Sequence, residues 1–307
     1  MLTYSGGKDS TAAICVALEV ARNRGGVKRI DVIYCDSMLE IASIRIQAHR
    51  FIASLQAMQS LHSLPLNVAI IKPKVEDRYW VRMLGYGYPP PHQRFRWCTT
   101  RLKIVPVAEA LADVITPGKS VILTGVRFGE SKSRERALHE ACNKGGECGQ
   151  GLWFIQKHRK GAAYLAPIVE WRTCDVWDYL NLIAPALGYN TGQLELTYGT
   201  RDIRFGCWTC TVVRQERALA ATVKRPEFKH LEPLVQFRRR IWDETRPIES
   251  RELRQDGRAG RLTLETRQAL MAELLDAEDQ TGVRLIEPEE VTRIRAVWAQ
   301  EPRLSKL

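Results

Sequence analysis

The feature that most constrains this chain lies in its first ten residues. Leu2-Thr3-Tyr4 reads as a short strand, Ser5-Gly6-Gly7-Lys8-Asp9-Ser10 as a tight loop, and residues 11–22 as a helix. A strand that turns through two glycines straight into a helix opens an α/β unit. The glycines let the backbone come close to a phosphate. The helix N-terminus behind them offers N–H donors and the positive end of a dipole. Lys8 adds a point charge, and Ser5 and Ser10 add hydroxyls. The spacing is not the G-x-x-x-x-G-K-[ST] of the Walker loop. A plain glycine turn that caps a helix is the competing reading.

The same strand-and-helix alternation continues. Residues 29–35 read as a strand, 39–61 as a long helix, 66–73 as a strand ending at proline, 103–114 as a helix, and 120–125 as a near-continuous apolar strand. This rhythm predicts an α/β fold with a doubly wound, mostly parallel sheet, whose ligands bind at the carboxyl ends of the strands. Residues 79–97, with Gly85-Tyr86-Gly87-Tyr88-Pro89-Pro90-Pro91, read as a loop, and residues 139–151 as a second one. From residue 226 the pattern changes to amphipathic helices at 231–244 and 264–280, joined by an Arg- and Gly-rich linker at 255–260, and a last helix opened by Glu287-Pro288. The expected domains are residues 1–225, carrying the loop and the cysteines, and a helical C-terminal subdomain at 226–307.

Composition excludes some classes. Hydrophobic residues make up 45% and charged residues 26%, as in ordinary globular proteins. No apolar run is long enough to span a membrane, and residues 1–4 run into the loop without a signal-peptide pattern, so a cytoplasmic enzyme is expected. The net charge of +11 favours a polyanionic partner such as nucleic acid.

Two further blocks carry chemistry. Gly125-Val126-Arg127-Phe128-Gly129-Glu130-Ser131-Lys132-Ser133-Arg134 sets basic groups, continued by Arg136, where phosphate or sulfate oxygens suit them. Cys207-Trp208-Thr209-Cys210 is a C-x-x-C pair: a redox pair, half of a zinc site or part of an iron–sulfur site. Cys98, Cys142 and Cys148 are further thiols in Gly-rich or basic surroundings, whereas Cys15 lies in an apolar run and reads as core. Cys174 reads as structural.

The hexapeptide at 5–10 resembles the SGGxDS signature of PP-loop ATP pyrophosphatases, which cleave ATP between the α and β phosphates. That resemblance implies an adenine nucleotide alpha hydrolase-like fold. It implies that Ser5, Gly6, Gly7, Lys8, Asp9 and Ser10 hold ATP with Mg2+, that Lys8, Asp9 and Ser10 are catalytic, and that Asp36 and Ser37 lie near the nucleotide. Residues 94–106 and the G-V-R…E-S segment resemble PAPS and APS reductases, which brings Gly125, Arg127 and Arg134 to the nucleotide. By the same resemblance Cys98, Cys207 and Cys210 ligate a 4Fe–4S cluster, with Cys148 or Cys142 as the fourth ligand and the spare thiol free to carry a persulfide. Together with Glu147 to Trp153 and Gly206 to Val213, the series is similar to the DndC-like DNA phosphorothioation sulfurtransferases and their SspD relatives. The family's partners are DNA, a cysteine desulfurase and other DNA phosphorothioation proteins. Only four residues precede the loop, a departure from the family pattern.

Three other functions compete. A PAPS or APS reductase resembles a design with a mobile catalytic cysteine near its C-terminus, and no cysteine follows Cys210 here. A tRNA thiolase fits the loop and the charge. A DNA-binding subunit with an inactive loop fits the charge alone, against an intact Lys8-Asp9-Ser10.

Overall fold

The computed structural model describes residues 1–62, 65–129, 162–198 and 205–304. They fall into two compact units. Unit one takes Met1–Cys35, Ser43–Ile71 and Val107–Asp202, and unit two takes Asp36–Ala42, Lys72–Pro106 and Ile203–Leu307.

Unit one is built on a five-stranded sheet. Its strands are β1 (Leu2–Tyr4), β2 (Ile30–Cys35), β3 (Leu66–Ile71), β4 (Val121–Leu123) and β5 (Ala163–Leu165), in spatial order β3-β2-β1-β4-β5. Every pairing is parallel. All six residues of β2 are buried, as befits a strand covered on both faces. On one face, α1 (Lys8–Arg24) and α2 (Ala42–His62) pack Ile14, Cys15, Leu18, Ala48, Phe51, Ile52 and Leu55 against Leu2, Tyr4, Val32 and Tyr34. On the other, α3 (Val105–Ala112) brings Leu111 to Ile33 and Ile122. Helices on both faces of a parallel sheet make the doubly wound arrangement expected from the sequence. The unit also holds two short helices, α4 (Thr173–Asp178), which runs on through a π turn at Tyr179–Ile183, and α5 (Leu194–Tyr198). α1 stops at Gly25, whose φ of 65° ends the helix without strain.

Unit two is mainly helical. Its longer helices are α7 (Glu232–Glu244), α8 (Leu264–Thr281) and α9 (Pro288–Leu304), preceded by a short α6 (Arg217–Thr222). One apolar core joins them to Trp80, Leu84, Trp97 and Trp208. The division therefore does not follow the expected boundary at 225/226: the C-terminal helices share a core with residues 72–106 and with the C-x-x-C segment.

Two local expectations need correction. The segment 79–97 is not all loop, because Tyr79 to Gly85 is helical, with a π turn at Val81–Gly85. Its apolar side chains outweigh the glycines and prolines beyond them: Tyr79, Trp80, Val81, Met83 and Leu84 are all buried. Trp80 Nε1 donates to the Leu285 carbonyl at 2.8 Å. The segment 255–260 is not a plain linker either. Strands β6 (Arg251–Leu253) and β7 (Ala259–Leu262) pair antiparallel around Asp256-Gly257, and Gly257 takes a φ of 74°. β7 is pinned by the Leu262 N–H donating to the Gly87 carbonyl at 2.7 Å; a Cβ on Gly87 would stand 3.0 Å from the Leu262 carbonyl oxygen. Among the described residues, no helix is long and apolar enough to cross a membrane.

Candidate functional site

Unit one presents the phosphate-type loop at the carboxyl end of β1. Gly6 has a φ of 78°, and a Cβ there would come within 3.2 Å of the Ala48 Cβ. The loop is tied by its own hydroxyls. Ser5 and Ser10 Oγ atoms are 2.9 Å apart, Ser10 Oγ donates to the Gly7 carbonyl at 2.9 Å, and Thr11 Oγ1 donates to the same oxygen at 3.0 Å. Gly7 caps α1 without a side-chain hydrogen bond. The Tyr198 hydroxyl accepts from the Lys8 N–H at 3.0 Å.

Charge is concentrated at this helix start. Lys8 Nζ lies 2.8 Å from Asp9 Oδ2, and Arg127 Nε lies 2.6 Å from Asp9 Oδ1. Lys8 and Arg127 are 6% and 5% exposed, so one carboxylate bridges two buried cations. Two positive groups against one negative, at the positive end of a 17-residue helix, leave a surplus that suits an anion. Arg127 is fixed from behind by Thr173 Oγ1 at 3.0 Å and the Trp171 carbonyl at 3.4 Å. Gly125 makes this convergence sterically feasible: a Cβ there would sit 2.7 Å from the Asp9 carbonyl carbon and the Ser10 nitrogen.

The structure thus brings together Ser5 to Ser10, Gly125 and Arg127. Arg134 lies outside the described residues, as do Lys132 and Arg136. Asp36 and Ser37 belong to unit two. There the fully buried Asp36 accepts from the Met38 N–H at 2.9 Å, and Ser37 Oγ donates to Glu40 Oε1 at 2.8 Å.

The cysteines gather in unit two. Cys98 stands in the helical turn Trp97–Thr99, which runs through a π turn at Thr100–Ile104 into α3. Cys207 forms an antiparallel bridge with Glu40, and the Trp208 N–H donates to the Leu39 carbonyl at 3.0 Å. The Cys210 N–H closes the turn onto the Cys207 carbonyl at 3.0 Å. Arg238 on α7 clamps the backbone from Cys210 onward. Its guanidinium donates to the carbonyls of Cys210 at 2.7 Å, Val213 at 2.6 Å and Arg214 at 3.2 Å. Burial pushes the Cys207 thiol up to about 12, opposed by Lys103 and reinforced by Glu40, Cys210 and Cys98. Burial also raises Cys98, with Cys210 adding to the effect.

The three thiols share one electrostatic neighbourhood. Thiolates of this kind suit zinc or an iron–sulfur cluster. Even so, among the described residues no three His, Cys, Asp or Glu side chains are arranged to hold a metal ion. Cys142 and Cys148 lie outside the described residues. Cys15 is buried in the unit-one core, and Cys174 is exposed.

Four residues of these sites escaped the sequence reading. Arg238 left a trace: it lies four residues after Leu234 and three before Ile241, on the apolar stripe of α7, where a charge must find partners. Tyr198, Thr173 and Glu40 left none, because each reaches its site only through the fold.

Comparisons with known proteins identify the family. The chain matches the phosphoadenosine phosphosulfate reductase domain over residues 1–213. An uncharacterized protein of Methanocaldococcus jannaschii is 27% identical over 225 residues, which is 73% of this chain and 44% of that protein. The chain therefore spans less than half the length of that relative. A crystal structure of PAPS reductase from Candida auris, a phosphate complex, aligns with a TM-score of 0.38 and 15% identity, covering 69% of this chain and 82% of that one. With a matched region that takes in the Ser5–Ser10 loop, Arg127 and all three described cysteines of unit two, the chain belongs to the phosphoadenosine phosphosulfate reductase domain family.

Proposed function

We propose that this chain is an ATP-dependent sulfurtransferase that acts on the DNA backbone. Its family carries out nucleotide-dependent sulfur chemistry. The observation that carries the nucleotide half is the Asp9 carboxylate bridging Lys8 and Arg127 at the start of α1. In this reading, residues 5–10 and Arg127 bind the phosphates of ATP and hold the departing pyrophosphate, with Mg2+ offsetting its charge. A backbone phosphate oxygen attacks the α-phosphorus of ATP, and pyrophosphate leaves. A sulfur nucleophile then attacks the activated DNA phosphorus, and AMP leaves with the oxygen; where the nucleophile is a cysteine persulfide, a second thiolate cleaves the S–S bond to free the phosphorothioate, and a cellular dithiol reduces the disulfide that remains. Adenylation is needed because a phosphodiester oxygen is otherwise a poor leaving group.

The sulfur half rests on Cys98, Cys207 and Cys210, with Cys148 or Cys142 as the fourth thiolate of a 4Fe–4S cluster, or with one thiol carrying a persulfide. A cluster on four thiolates would have no open iron, so the sulfur in transit would be carried as a persulfide on the spare thiol or, with the fourth thiolate displaced, on the iron so freed. Burial and mutual repulsion raise Cys98 and Cys207 in the free protein, and ligation would relieve both. A cysteine desulfurase supplies the sulfur, and other phosphorothioation proteins act alongside.

The family description gives weight to a second reading, PAPS or APS reduction. Purified protein with ATP and DNA is expected to release pyrophosphate, and AMP as well once a sulfur donor is supplied. Nuclease-digested DNA from cells carrying the gene and its partners is expected to contain phosphorothioate-linked dinucleotides by mass spectrometry. Sulfite from PAPS or APS with thioredoxin, and no such dinucleotides, would establish the reductase instead.

A further inference from the structure

Most arginines of unit two are committed. Arg78 pairs with Glu289, Arg82 and Arg101 with Asp77, Arg240 with Glu273, and Arg293 with Glu76. Arg261, on the Arg-rich hairpin, is held by Glu252 at 2.5 Å and Glu301 at 2.8 Å. Apart from Arg246, which stacks on Trp242, and from Arg254 and Arg295, four are exposed and enter no ion pair among the described residues: Arg94, Arg96, Arg214 and Arg217.

These four sit on two segments that leave from the ends of one hydrogen bond. Thr211 Oγ1 donates to the Pro91 carbonyl at 2.7 Å. From Pro91 the chain makes a tight turn in which His92 and Phe95 exchange backbone hydrogen bonds at 3.2 and 2.9 Å, with Gln93 and Arg94 at its tip. From Thr211 it runs through Val213 and Arg214 to Arg217. Both segments are held before any ligand arrives. Trp97 Nε1 donates to the Pro89 carbonyl at 2.9 Å behind the first, and the Arg238 clamp holds the carbonyls of Val213 and Arg214 in the second. The one carboxylate within residues 91–98 and 211–217 is Glu216, which caps α6 through the Leu219 N–H. Phe95, between Arg94 and Arg96 in the chain, is 38% exposed, and Val213, next to Arg214, is 46% exposed. Cys98 lies two residues after Arg96, and Cys210 immediately precedes Thr211.

We propose that the His92–Arg96 turn and the 213–217 loop form the surface on which unit two receives DNA, with the four arginines on backbone phosphates. The proposal rests on the DNA reading above and locates its contact beside the thiols rather than on the hairpin of residues 251–262. Unpaired guanidiniums suit phosphate oxygens, and fixed segments lose little freedom on binding. Phe95 and Val213 supply apolar contact to sugars between them.

The test is fluorescence anisotropy of a labelled DNA duplex with the full chain over a range of salt. Arg94→Ala/Arg96→Ala and Arg214→Ala/Arg217→Ala are each expected to weaken binding at least about tenfold and to flatten the salt slope by roughly 2, at about 0.9 per lost phosphate contact. Arg94→Lys/Arg96→Lys keeps the charge and is expected to restore the slope. Arg254→Ala/Arg258→Ala, an equal loss of two exposed charges on the hairpin, should change affinity less than about twofold. Unchanged melting curves confirm that the variants fold. Parent-like binding by both alanine pairs overturns the surface, as does tighter, equally arginine-dependent binding of tRNA. Pyrophosphate release and phosphorothioate dinucleotides test the underlying reading separately, so the two failures are distinguishable.

Discussion

The two sites are assembled in opposite ways. In unit one, six consecutive residues form the loop, and Gly125 and Arg127 close it from one neighbouring strand end. In unit two, the cysteine neighbourhood draws on Glu40, Cys98, Lys103, Cys207, Cys210 and Arg238, from four separate stretches of chain. A site centred on one contiguous loop depends first on that hexapeptide and then on the few residues that close it, Gly125, Arg127, Thr173 and Tyr198. A dispersed site depends on every contact that brings its parts together.

The sharpest break of this comparison is at the thiols. Anaerobic protein is expected to hold about four irons per chain. Cys207→Ser and Cys210→Ser should each remove the iron and the brown colour, while Cys174→Ser keeps both. Stoichiometric zinc without iron in the anaerobic parent would show that the thiols serve a different metal. Next in size, Lys8→Ala and Asp9→Ala should lower pyrophosphate release by about 10²–10³-fold, the cost of one charge-stabilising group. Neither change should alter iron content, because the loop and the thiols lie in different units. Production of ADP and orthophosphate by the parent would remove the assignment altogether.

Smaller effects sharpen the contrast. Gly125→Ala forces a methyl group against the Asp9 and Ser10 backbone, at a cost of about 1–3 kcal/mol, and should lower the melting temperature together with ATP affinity. Wild-type stability in Gly125→Ala would mean that the backbones are not so close. Arg238→Ala strips three carbonyls of their donor, at about 1–3 kcal/mol, and should impair iron retention without changing ATP affinity. Equal loss of ATP binding would contradict that separation.

The smallest effect concerns pH. Burial pushes Glu290 up to about 7 from 4.5, against the pull of Arg78. A carboxyl whose folded value lies above its unfolded value favours the folded state while protonated. That advantage is fully present below 4.5 and is lost progressively as pH rises from 4.5 to about 7. The melting temperature of the parent should fall over this window, and Glu290→Gln should flatten the fall. A parallel fall in both proteins would assign the dependence to other groups.

Legibility in the sequence tracked the range of the interactions. Period and turn chemistry marked β1 to β4, α1 and the long helices, because each arises within a few residues. The helix at Tyr79 to Gly85 was hidden behind Gly85, Gly87 and three prolines, since the burial of Trp80 and Met83 that sustains it comes from distant chain. The hairpin at 251–262 was hidden although Asp256-Gly257 is a hairpin signal, because the Arg-rich composition masked it.

What the sequence alone determined is the parallel α/β rhythm, the phosphate-type loop and the thiol chemistry, all set by local sterics and by residue type. Only the tertiary structure decided which charges remain free. Arg261 is consumed by Glu252 and Glu301, whereas Arg94 and Arg96 enter no ion pair among the described residues. It also decided that the C-terminal helices belong with the cysteines through Arg238 and the core of Trp80, Trp208 and Phe237. The physical reason is the same in each case: a side chain's partners across long chain separations are fixed by packing, which no local pattern encodes.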